Sequence, residues 1–175
     1  MTSEPGAGGL AFLPYLSPAG ERAPFSDPLA RGALLGMSFE HGRGHVARAV
    51  LEGLTMVIRD CLAATGAAPT ELRVCGGGAN SAVWLQLIAD VTGLPVRRST
   101  DTEVGARGAA LVGMAATGGA PSVAEAATQH VRLRQAVEPG PGRRALYDDL
   151  FAAFLTLRGG TAENWPLLAE LRDRT

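Results

Sequence analysis

Apolar residues recur at steps of four, four, three, four and one through Val46, Val50, Leu54, Val57, Cys61 and Leu62. That rhythm predicts a long amphipathic helix from Arg43 to Thr65, stopped by Gly66 and laid against a sheet. Ahead of it, Leu10 to Leu16 reads as a strand ending near Pro14, and Ala33 to Ser38 as a strand edge. The segment between them carries Pro18, Gly20, Pro24 and Pro28, too many breakers for a helix interior. Beyond Pro69 the pattern alternates between the two periods. Glu71 to Cys75 is strand-like, Val83, Trp84, Leu87, Ile88 and Val91 fall at helical spacing, Pro95 to Arg98 is strand-like, and Val104 to Thr117 is helical with N-cap candidates in Ser99 to Thr102. A short acidic helix after Ser122, an edge strand or extended segment over Val131 to Val137, a helix through Leu146, Leu150, Phe151, Phe154 and Leu155, and a tail helix from Trp165 complete the chain. Helices alternating with short strands predict an α/β layer fold, with sites at the carboxyl ends of the strands.

Composition narrows the class. At 175 residues, 46% hydrophobic and 19% charged, the chain has enough apolar surface for a sizeable core. Residues 10–175 read as one domain, and the Gly-rich residues 1–9 as a disordered lead or linker remnant. Sixteen basic and 17 acidic side chains give a net charge of −1 with no single-sign block, so neither a nucleic-acid groove nor a membrane patch is predicted. Residues 1–6 lack the basic and apolar regions of a signal peptide, and no apolar run reaches spanning length, so a cytoplasmic location is expected. Cys61 and Cys75 read as small buried hydrophobes kept reduced.

Candidate chemistry concentrates in Gly76-Gly77-Gly78-Ala79-Asn80-Ser81, at a strand-to-helix junction. Glycine lets the main chain approach a ligand closely, and a helix start favours negative charge by roughly 0.3–1 kcal/mol, so phosphate binding is one reading. A tight turn with an ordinary cap is the other, with Asn80 and Ser81 capping the helix or touching a ligand. The small residues Gly105, Ala106, Gly108, Ala109, Ala110 and Gly113 imply that a backbone or a ligand comes close to their helix, since each glycine there costs roughly 1 kcal/mol relative to alanine; backbone packing is the expectation. Glu21, Arg22, Asp27 and Arg31 read as an ion-paired surface loop, with substrate contact the alternative. His41 and His45 are four apart but lack a third ligand in the sequence, so an exposed pair at a helix start is expected rather than a metal site.

Three separated stretches resemble the C-terminal domain of the FGGY family of carbohydrate kinases, in its xylulokinase-like flavour. They are Glu21-Arg22-Ala23-Pro24 with Asp27 to Gly32; Gly76 to Ser81 with Trp84, Gln86, Ala89-Asp90-Val91, Gly93 and Pro95-Val96; and Glu103 with Ala106 and Gly108-Ala109-Ala110. The resemblance implies a ribonuclease-H-like fold of the actin and hexokinase superfamily, a mixed sheet flanked by helices. It implies the ATP-gripping side of a xylulose-like or polyol kinase, with Mg2+ carried by the nucleotide. Gly76, Gly77 and Gly78 would lie near phosphate and ribose, and Asn80 and Ser81 near adenosine. The family's sugar site and catalytic base lie upstream of these motifs, so none of Asp27, Asp60, Asp90 or Asp101 takes the base's role and the chain alone is expected to be inactive.

Two other readings remain open. Gly76, Gly78 and Ser81 approximate G-x-G-x-x-G without its last glycine, and Arg97 with Arg98 would suit the 2′-phosphate of NADP. A non-catalytic interaction module would instead dock a sugar-binding half, or a second copy of itself, through an exposed apolar face.

Overall fold

The computed structural model describes residues 3–174. Among these, the backbone forms four short strands and six α-helices: β1 (Ala11–Leu13), β2 (Ala33–Leu35), α1 (Arg43–Ala64), β3 (Leu72–Val74), α2 (Ala82–Thr92), β4 (Val96–Arg98), α3 (Val104–Ala116), α4 (Val123–His130), α5 (Arg143–Ala162) and α6 (Trp165–Asp173). The strands are paired as two small sheets rather than joined in one. β1 and β2 are antiparallel with Phe12 opposite Leu34, while β3 and β4 are parallel with Arg73 opposite Arg97. The extended segment after α4 adds antiparallel bridges from Val137 to Val96 and from Leu133 to Ser99, so pairing around β4 is mixed. The chain divides into two compact units.

The first unit holds the described residues of Met1–Ala68, Asp90–Thr92 and Pro141–Thr175. Its organising contact is α1 against β1. A Cβ built on Gly53 would stand 2.2 Å from the Phe12 carbonyl oxygen, so the helix reaches the strand backbone only because this position has no side chain. Ala7, Leu10 and Ala49 form a small core with Phe12, Leu34 and Val46 packed on it. The Gly-rich stretch expected as a loose lead is therefore packed from residue 3 onward. Ser3 is buried, its carbonyl accepts from Arg48 Nε at 2.7 Å, and the Gly6 N–H donates to Glu52 Oε1 at 3.0 Å. Burial of Ala7 and these two bonds offset the chain entropy that glycine spends on ordering. Met1 and Thr2, the start of that expected lead, lie outside the described residues.

Three rings join the loop after β1 to α6. Tyr15 meets Phe25 edge-on at 5.3 Å and Trp165 at 5.8 Å, while Phe25 and Trp165 stack at 5.9 Å. Arg158 lies over Phe25 at 5.0 Å and pairs with Asp60. The charged loop residues do not pair with one another as expected; they fold the loop by serving its backbone. Glu21 Oε1 accepts the N–H groups of Arg22 and Ala23, Asp27 Oδ1 accepts that of Leu29, and Arg31 donates to the carbonyls of Pro18, Pro28 and Ala30. In an irregular loop, main-chain groups without a ladder have first claim on nearby polar side chains.

The second unit comprises Pro69–Ala89 and Gly93–Gly140. α2 follows β3, and α3 packs on α4 through Leu111 and Met114 against Ala120, Ala126 and Val131. The small-residue face of α3 departs from expectation: among the described residues nothing stands within 4 Å of a Cβ built on Gly105, Gly108 or Gly113, so no described backbone packs on these glycines. None of the expected caps starts α3 either. Its N-cap is Glu103 with no side-chain cap bond, because Asp101 is turned instead toward Arg107. Both cysteines are free; Cys61 is half-buried, whereas Cys75, expected inside, is exposed at the end of β3. No helix among the described residues is long and apolar enough to cross a membrane.

Candidate functional site

At the carboxyl ends of the parallel pair β3 and β4 lies a hollow of about 350 Å³, the place where open α/β sheets put ligands. Its walls come from three short pieces of chain. Val74 to Gly77 with Ala79 and Asn80 line it from one stretch, Arg98, Ser99 and Asp101 to Glu103 from the other, and Val104, the first residue of α3, completes the lining.

The glycine triplet builds its side by dividing the labour. Gly76 turns the chain off β3 at φ 89°, a conformation that L side chains rarely adopt. Residues Gly77–Asn80 then form one 3₁₀ turn, closed by Ala79 N–H to the Gly76 carbonyl and Ser81 N–H to the Gly78 carbonyl, both at 3.1 Å. Gly76 and Gly77 face open space, with nothing within 4 Å of a built Cβ. Gly78 is different. Its Cβ would stand 2.2 Å from the Trp84 ring, and Gly78 is not among the residues lining the hollow. Ser81 is taken up by the helix, its hydroxyl accepting the Trp84 N–H at 3.3 Å as the N-cap of α2. Of the five residues singled out in sequence, then, Gly76, Gly77 and Asn80 line the hollow, Gly78 makes room for an aromatic ring and Ser81 caps a helix.

The opposite side carries the charge. Arg98 Nη1 donates to Asn80 Oδ1 at 2.5 Å, tying the two walls together. Asp101 accepts two bonds from Arg107, Nη2 to Oδ1 at 2.7 Å and Nε to Oδ2 at 3.1 Å, and its backbone N–H donates to Ser99 Oγ. The hydrogen bonds from Arg107 hold the Asp101 carboxyl below its ordinary range, and Asp101 raises Arg107 in return. Asp101 is thus already engaged by its neighbour. Arg97, which sequence coupled with Arg98, leaves the hollow and pairs with Glu71 at 3.1 Å. Adjacent strand residues point to opposite faces, so one arginine lines the hollow and the other does not. The walls offer the open backbone of Gly76 and Gly77, the Arg98 guanidinium and the carboxylates of Asp101 and Glu103, a polar lining whose donors lie on the glycine turn and at the end of β4.

Ser99 and Thr102 were legible in sequence only as cap candidates, Asp101 as a cap candidate set aside as a base, and Arg98 as a strand end that beside Arg97 would suit a 2′-phosphate; their place in the hollow follows from the pairing of β3 with β4. His41 and His45 meet edge-on at 5.4 Å, each held by the local backbone. Among the described residues no three His, Cys, Asp or Glu side chains converge as metal ligands would.

A parallel β3–β4 pair with a glycine turn at its carboxyl edge in one unit, and α1 on the antiparallel β1–β2 pair in the other, give each unit an α/β character. The chain belongs to the FGGY family of carbohydrate kinases, whose C-terminal domain model matches residues 1–117. It is 37% identical over 169 residues to an erythritol kinase of Brucella abortus, covering 95% of this chain and 32% of that protein. It is 39% identical over 140 residues to a xylulose kinase of Escherichia coli, covering 78% of this chain and 28% of that one. Among solved structures, a ligand-bound xylulose kinase from Lactobacillus acidophilus superposes with a TM-score of 0.85 at 28% identity, over 95% of this chain and 34% of that one. A xylulose kinase from Rhodospirillum rubrum gives 0.74 at 32% identity, over 93% and 33%. The fold is the ribonuclease-H-like α/β fold of the actin and hexokinase superfamily, in its C-terminal kinase domain. The chain spans about a third of the length of the relatives it matches.

Proposed function

We propose that the chain is the nucleotide-gripping part of an ATP-dependent kinase acting on a xylulose-like sugar or a polyol. The observation that carries this reading is the open backbone of Gly76 and Gly77 in a polar hollow at the carboxyl ends of β3 and β4, in a chain of the carbohydrate-kinase family. The residues fit the group. A nucleotide needs main-chain approach, room and a donor, and the hollow supplies two glycines without neighbours, about 350 Å³ and the Arg98–Asn80 pair. Gly76 and Gly77 would hold the phosphate and ribose side and Asn80 the adenosine. When bound, ATP supplies the phosphoryl group, and Mg2+ comes with it.

The base that activates the sugar hydroxyl is proposed to lie on another part of the enzyme. Three of the aspartates considered for that role are engaged structurally: Asp27 in its loop turn, Asp60 with Arg158 and Asp101 with Arg107. The chain by itself therefore binds nucleotide without phosphorylating sugar, and its working partner is a sugar-binding N-terminal half. Exposure of Leu16, Met37 and Phe39 in the first unit favours such a partner, or a second copy of the chain. Calorimetry with ATP and ADP in the presence of Mg2+, followed by a kinase assay with and without the N-terminal half, tests both parts. Binding without turnover, and turnover on adding the half, is expected; robust sugar phosphorylation by the isolated chain overturns the missing-base argument.

A further inference from the structure

Arg98 leaves the end of β4 and Asn80 closes the 3₁₀ turn, and their contact at 2.5 Å fixes a chemical detail that a side-chain amide does not ordinarily fix by itself. A guanidinium has N–H donors and no acceptor, so the atom of Asn80 that meets it is the amide oxygen. The amide nitrogen, with its two donors, is then the end left for a ligand. We infer that Arg98 is a positioning residue that makes Asn80 a hydrogen-bond donor toward the nucleoside portion of the nucleotide. Asn80 then reads an acceptor, a ring nitrogen or a ribose oxygen, and discriminates against an exocyclic amino group at that point. This role rests on the hollow being the nucleotide site. It also divides the guanidiniums: Arg107 holds Asp101 and Arg97 holds Glu71, so Arg98 alone of the three is committed to the turn. A charge-assisted bond to a neutral amide orders that amide before the ligand arrives, sparing the ordering cost at binding.

The test uses the 175-residue chain with two probes, ATP with Mg2+ and adenosine alone, in calorimetry. Arg98→Leu is expected to weaken both by about fivefold to tenfold, the loss of one charge-assisted positioning bond. Arg98→Lys, which keeps a donor for Oδ1, restores most of the affinity. Asn80→Asp keeps a partner for Arg98 but has no N–H to give, so it loses at least as much as Arg98→Leu; in an Asn80→Ala background, Arg98→Leu costs nothing more. A loss confined to ATP, with adenosine unchanged, overturns the inference and makes Arg98 a phosphate contact instead. A second arm needs no ligand. The side-chain amide 1H–15N signals of Asn80 shift in Arg98→Leu while the melting temperature holds; unshifted signals overturn the pinning whatever binds. Wild-type chain that takes up neither probe overturns the nucleotide reading, and with it this role, while the amide signals still report whether Arg98 orients Asn80.

Discussion

The phenolic hydroxyl of Tyr147 on α5 donates to the carboxylate of Glu52 on α1 at 3.2 Å, inside the first unit where both side chains are buried. The same carboxylate oxygen accepts the Gly6 N–H at 3.0 Å and Arg48 Nη1 at 3.1 Å, so one buried acid ties the N-terminal stretch, α1 and α5 together. Tyr147→Phe removes one donor of three and is expected to cost about 1 kcal/mol. Glu52→Ala takes the acceptor from the buried Tyr147 hydroxyl, the Gly6 N–H and Arg48 Nη1 together and should cost about 3 kcal/mol. Urea titration of the three proteins checks the order; a Tyr147→Phe loss equal to that of Glu52→Ala contradicts it.

Alkaline pH should loosen the same unit. Burial pushes the Tyr15 hydroxyl up to about 12, with Arg158 beside it pulling the other way, and burial together with Glu52 raises Tyr147 as well. A phenol whose folded pKa exceeds its unfolded value near 10 keeps its proton longer in the folded state. Its contribution is full below pH 10 and is lost as pH rises toward 12, on the order of 3 kcal/mol for Tyr15. Denaturant midpoints measured from pH 9 to 12 should fall steadily, and Tyr15→Phe should flatten the fall.

Acid should act on a different contact. Hydrogen bonding from Arg59, at 2.5 Å, and from Arg144 holds the Asp148 carboxyl below its ordinary range. That contribution is present above the ordinary carboxylate pKa and disappears as pH falls through the depressed one. Asp148→Asn should therefore be less stable than wild type at neutral pH and converge with it in acid, as followed by circular dichroism.

Gly77 and Gly78 should separate cleanly. An alanine Cβ at Gly78 meets the Trp84 ring at 2.2 Å and must displace it, a cost of about 1–3 kcal/mol with a change in tryptophan fluorescence. The same change at Gly77 meets nothing in the protein, so stability should hold to within about 0.5 kcal/mol. If the hollow takes a nucleotide, its affinity should fall in Gly77→Ala. A melting temperature lowered more by Gly77→Ala than by Gly78→Ala would sink this division.

Ser81→Ala should behave as the loss of a helix cap. About 1 kcal/mol of stability is expected to go with the bond to the Trp84 N–H, and nucleotide affinity should stay within twofold. A large affinity loss with unchanged stability would instead make Ser81 a ligand contact.

Periodicity made α1, α2 and α5 legible because each buries an apolar face wide enough to repeat over several turns. The glycine turn could be read too, since a strand, three glycines and a helix start leave few backbone options. The fate of each polar group could not. Ser81 and Asp101 were both plausible caps, yet one caps α2 and the other binds Arg107, a choice made by what stands nearby in space. Likewise Gly105, Gly108 and Gly113 announced a close approach that no backbone among the described residues makes, while Gly53, unremarked within the α1 pattern, is pressed against a strand.

By itself the sequence determined the family, the order of strands and helices and the position of the glycine turn, because those rest on spacing and residue type along the chain. Only the tertiary structure decided that Gly76, Gly77 and Asn80 share a hollow with Arg98, and that Asp101 and Arg97 are already paired. Hydrogen bonds and ion pairs depend on distances between residues far apart in the chain, such as the eighteen positions separating Asn80 from Arg98. The pairing of β3 with β4 sets those distances, and local propensity carries no record of them.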